Sequence, residues 1–94
     1  MHVRVVRFTD VSTEKANALV ARIDEADGPP EGVITSGLQM LHDEEQGTAV
    51  VIQMFDSAKD MQDAEKFFDE MDASETPGTR ASIDRCEMKL DLKV

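Results

Sequence analysis

Two segments of this chain are apolar on both faces of an extended backbone, and that constrains the fold more than anything else in the sequence. In "MHVRVVRF" Val3 and Val5 fall on one side of a strand and Val6 and Phe8 on the other. In "TAVVIQMF", Thr48 to Phe55, Val50, Ile52 and Met54 oppose Ala49, Val51 and Phe55. A strand of this kind sits in a sheet that is covered on both faces. With 94 residues there is room for one domain, residues 1–94, and one core.

Between and after these strands the period changes. Ala16, Leu19, Val20, Ile23 and Ala26 recur at helical spacing, with Ser12 as N-cap, Glu14 in the first turn and a stop at Gly28-Pro29-Pro30. Met61, Ala64, Phe67, Phe68 and Met71 form a second helical stripe that starts at Ser57 and Asp60. A second strand is expected over Val33–His42, with Gly37 at a bulge. A fourth is expected over Cys86–Val94, where Cys86, Met88, Leu90, Leu92 and Val94 alternate with charged residues. On this reading Cys86 is a buried, inert thiol.

The order is β-α-β-β-α-β. It predicts the ferredoxin-like α+β arrangement, a four-stranded antiparallel sheet with two helices on one face. The uncovered face then requires a partner, and a second copy of the chain is the simplest one.

The segment that concentrates chemistry-bearing groups, "HDEEQG" from His42 to Gly47, reads as a hairpin link. Neighbouring strand residues diverge, whereas metal ligands must converge, so no metal site is expected here. Asp43–Gln46 serve as a polar turn, and Gly47 takes a positive φ where the third strand begins. "TPGTR", Thr76 to Arg80, reads as a turn with Pro77 second and Gly78 at a positive φ, and Arg80 is available to an anion.

The balance of 10 Lys and Arg against 20 Asp and Glu, a net charge of -10, opposes nucleic acid and anionic membrane partners. One cysteine permits no internal disulfide, and no basic-apolar leader opens the sequence, so a cytoplasmic location is expected.

Taken together, the element order, the length, the doubly apolar strands, the Phe67-Phe68 pair and the "TPGTR" link resemble the dimeric α+β barrel superfamily. Within it, the chain is similar to the small proteins related to antibiotic-biosynthesis monooxygenases. The resemblance implies a homodimer whose two sheets face each other, and a cavity between helices and sheet. Members with cofactor-independent oxygenase activity use Asn, Trp, Tyr or His in that cavity. Here Trp and Tyr are absent, Asn17 on the first helix is the only Asn, and the second helix has no His.

The expected function is therefore the binding of a small, largely apolar molecule, or service as an interaction module, without metal or cofactor. The alternative is a cofactor-independent monooxygenase or isomerase of the antibiotic-biosynthesis type. Candidate ligand-binding residues are His2, Arg4, Met54, Phe67, Phe68, Met71 and Arg80, with no catalytic residue assigned.

Overall fold

The structure is a computed structural model that describes every residue except Asp27, Glu31, residues 71–75 and Val94. Six elements follow in the order β1 (His2–Thr9), α1 (Thr13–Ala26), β2 (Gly37–Asp43), β3 (Thr48–Phe55), α2 (Ala58–Asp69) and β4 (Thr79–Glu87). The strands form one sheet in the order β2-β3-β1-β4, and each neighbouring pair is antiparallel. This small α+β architecture is compatible with the ferredoxin-like split expected from the element order.

The two doubly apolar strands are the two central ones. Register places Arg4 opposite Gln53, Val6 opposite Val51 and Phe8 opposite Ala49, so these side chains share one face. Both helices pack on that face. Ala16 of α1 joins Val6, Phe8, Val11 and Ala49, and Met61 and Ala64 of α2 join Val33 and Phe55. The opposite face carries Val3, Val5, Val50, Ile52 and Met54, all half-buried, and neither helix crosses it.

Both helices start as the sequence predicts. The Ser12 hydroxyl accepts from the Lys15 N–H at 3.1 Å, and the Ser57 hydroxyl accepts from the Asp60 N–H at 3.1 Å. Their packing differs sharply. Of the apolar stripe on α1 only Ala16 is buried, while Val20 and Ile23 stay 51% and 40% exposed. The first helix stands off the sheet.

The link from β2 to β3 is the predicted turn. Gly47 has φ 68°, its N–H donates to the Asp43 carbonyl at 2.9 Å, and the Asp43 carboxylate accepts from the Gln46 N–H at 3.1 Å. The Gln46 N–H bond first, and second the bond that the Gln46 side-chain amide donates to the same carboxylate at 2.7 Å, hold the Asp43 carboxyl below the ordinary aspartate range.

Five expectations need correction. The second strand begins at Gly37 rather than Val33, because Thr35 and Ser36 spend their hydroxyls on the far end of β3 and the residue just beyond it. The Thr35 hydroxyl and the Ser36 N–H both donate to the Met54 carbonyl at 2.7 Å, and the Ser36 hydroxyl donates to Asp56 at 2.6 Å. Gly37 is no bulge; the register shift lies instead between Arg7 and Phe8, where β1 meets β4.

The fourth strand covers Thr79–Glu87, not Cys86–Val94. Its register ends with Glu87 opposite His2, and just past it the Met88 N–H donates to the Met1 carbonyl at 2.9 Å, ahead of the first residue of β1. Leu90 and Leu92, despite their strict alternation, are 78% and 74% exposed. Cys86 is exposed too, since it lies on an edge strand, on the face without helices.

Gly78 does not adopt a positive φ. Its lack of a side chain is required by space: a Cβ there would collide with the Thr9 carbonyl oxygen and lie 2.9 Å from Val11 Cγ2.

Candidate functional site

The gap beneath α1 is a cavity of about 760 Å³, in the range that holds drug-sized ligands. Its floor is the helix-bearing sheet face, lined by Val6, Met40, Val51 and Phe55, of which Met40 and Val51 are half-buried and Val6 and Phe55 fully packed. Leu19 and Ile23 of α1 form the roof, and Phe67 and Phe68 of α2 close one end. The two rings meet edge to face, with centroids 5.6 Å apart.

Into this apolar chamber β1 brings a buried cation. Arg4 sits mid-strand on β1 and is only 2% exposed. Its Nη1 donates to Gln53 Oε1 at 2.8 Å, its Nε lies 3.6 Å from Glu65 Oε1, and the guanidinium carbon lies 5.2 Å from the Phe68 ring centroid. Among the described residues, Arg4 Nε and Nη2 have no hydrogen-bond acceptor. Burial lowers the Arg4 pKa from its ordinary value, with the Glu65 carboxylate the chief opposing influence. A guanidinium starts so high that it remains charged.

Glu65 does not serve Arg4 alone. Arg85, the cross-strand neighbour of Arg4 on β4, donates from Nε to the same Glu65 oxygen. That hydrogen bond is the first cause of a raised Arg85 pKa. One carboxylate thus stands between two arginines. Arg80 also borders the cavity, and its Nη1 is 3.8 Å from Asp69.

Arg4, Phe67, Phe68 and Arg80, four of the residues expected from sequence, border the same cavity. His2 is half-buried at the end of β1, opposite Phe55 and Glu87, and is not part of the lining. Met54 lies on the other sheet face, beside Val3. Met71 lies outside the described residues. Sequence reasoning missed Gln53, Arg22 and the roof residue Leu19 as lining residues. The signal for Gln53 was present: a single amide, at a position parallel to Val51 and Phe55 on a central strand, has to find a buried partner.

Among the described residues no group of three His, Cys, Asp or Glu could hold a metal ion, and no helix is long and apolar enough to cross a membrane. No protein-family model matches the chain, and no curated protein matches it in sequence.

Proposed function

We propose that the chain works as a homodimer of ferredoxin-like units, joined sheet to sheet as in the dimeric α+β barrels, and holds a small, largely apolar molecule in each cavity. The observation that carries the binding reading is the separation of α1 from the sheet over a cavity of about 760 Å³. Leu19 and Ile23 above, and the half-buried Met40 and Val51 below, recover burial only if something apolar lies between them, at about 25 cal/mol per Å² of surface removed from water. Arg4 and Gln53 are groups that hold and orient a ligand; arginine is always protonated and is unsuited to taking up a proton. This favours binding over oxygenase or isomerase chemistry.

The dimer reading rests on the other face. Val3, Val5, Val50, Ile52 and Met54 form a contiguous half-buried aliphatic surface. Cys86, opposite Val3, extends this face onto β4, and Met88, Leu90 and Leu92 continue its parity past the end of the β1–β4 ladder, as a strand offered to another chain would.

Fluorescence of the neutral probe N-phenyl-1-naphthylamine tests the cavity, aided by the absence of Trp from the chain. Saturable enhancement at about one probe per chain, lost in Leu19→Glu, is expected. Enhancement that does not saturate, or that Leu19→Glu leaves unchanged, would overturn the binding reading.

A further inference from the structure

We infer that the molecule held in this cavity carries a carboxylate, which Arg4 binds with two parallel hydrogen bonds from Nε and Nη2, while the apolar body lies under α1. The inference rests on the binding reading above and adds the ligand's chemical class.

Three observations lead to it. Arg4 is 98% removed from solvent, yet among the described residues Nη2 has no acceptor and Nε has none within hydrogen-bond distance, Glu65 Oε1 lying 3.6 Å away. Leaving charged donors buried and unsatisfied is costly, so a side chain in that state is matched to something that completes it. Nε and one Nη form one edge of the planar guanidinium fork, the edge that accepts a carboxylate in bidentate fashion. Nη1, by contrast, is committed to Gln53, which also fixes the plane of the fork.

The second observation is the local charge. The whole chain is strongly acidic at -10, but the described residues lining the cavity include Arg4, Arg22 and Arg80 and no Asp or Glu. Glu65 is shared with Arg85, so it cannot neutralise Arg4 alone. The described lining thus offers guanidinium donors without a carboxylate, and it selects an anion by local contact rather than by the field of the whole molecule.

The third is the shape of the lining. Apart from Arg4, Gln53 and a polar rim, the floor and roof are aliphatic and aromatic. A small inorganic anion would leave that surface unmatched; a monocarboxylate with a hydrocarbon or aromatic body satisfies both parts.

Displacement of N-phenyl-1-naphthylamine by decanoate and by decan-1-ol, at pH 7.5, separates the possibilities. Decanoate is expected to bind the unsubstituted protein at least about tenfold more tightly than the alcohol, as a charge-assisted hydrogen-bond pair provides. In Arg4→Met the preference should vanish while the alcohol still displaces the probe. Equal displacement by both ligands in the unsubstituted protein overturns the carboxylate inference and leaves the cavity reading standing. Failure of the probe to bind at all overturns both. Because Arg4 is buried, a read-out free of substitution is needed as well: the Arg4 Nε–H proton resonance should move downfield with decanoate and stay in place with decan-1-ol. An Nε–H resonance that ignores decanoate overturns the inference whatever the variant does.

Discussion

Arg4 and Gln53 face each other across the two central strands and are joined by a 2.8 Å hydrogen bond on the floor of the cavity. Among the described residues, Gln53 Oε1 is the single acceptor within hydrogen-bond reach of the buried guanidinium. Replacing it should therefore be felt beyond its own packing. Gln53→Leu removes that acceptor and is expected to cost about 2–3 kcal/mol in urea unfolding. Gln53→Glu supplies a carboxylate in its place, so the protein should fold normally and lose its preference for decanoate over decan-1-ol. A Gln53→Glu protein that keeps the preference would separate Arg4 from ligand selection.

The aliphatic face opposite the helices makes a different prediction. Ile52 lies at its middle, with Val5 directly across the ladder. Ile52→Glu places a charge where two sheets would meet, and native mass spectrometry should then record monomer in place of dimer, with a fall in thermal stability. Val51→Glu, one residue away, points into the cavity and should weaken probe binding while the dimer persists. If Ile52→Glu remains a stable dimer, the sheet-to-sheet assembly is wrong.

Gly78 is expected to be intolerant of any side chain. In Gly78→Ala the new methyl group meets the Thr9 carbonyl and Val11 Cγ2, next to Asp10 with its φ of 56°. Backbone at the β1 exit must shift, at about 1–3 kcal/mol, which a shifted urea midpoint would record. An unchanged midpoint would show that the Asp10 turn yields freely.

The Asp43 turn has a pH signature. Its carboxyl is held below the ordinary aspartate range in the folded chain, so the deprotonated form is the one that favours the fold. That contribution is fully present above the unfolded-state value and disappears as pH falls through the lower, folded-state value. A carbon-13 titration of the side chain should place the Asp43 midpoint below those of unbonded aspartates, and Gln46→Ala should raise it. A midpoint already in the ordinary range would contradict the turn geometry.

Periodicity alone located β1, β3 and both helices, because the two-residue and 3.6-residue repeats of apolar side chains are local properties of the chain. Hydroxyl caps at Ser12 and Ser57 and the glycine at position 47 were legible for the same reason: each acts on neighbours within a few residues. The last strand was misplaced because alternation at Met88, Leu90 and Leu92 says which way side chains would point but not whether a partner strand runs alongside. β1 pairs from His2 onward, and that register, a long-range property, ends β4 at Glu87. The site shows the same division. Sequence identified Arg4, Phe67, Phe68 and Arg80 as candidates but could not bring residues 4, 53, 65 and 68 to one point. Their meeting depends on the antiparallel pairing of β1 with β3 and on α2 crossing that pair. Likewise, the apolar stripe of α1 announced a packed helix, and only tertiary structure, which sets its height above the sheet, turned that stripe into the roof of a cavity.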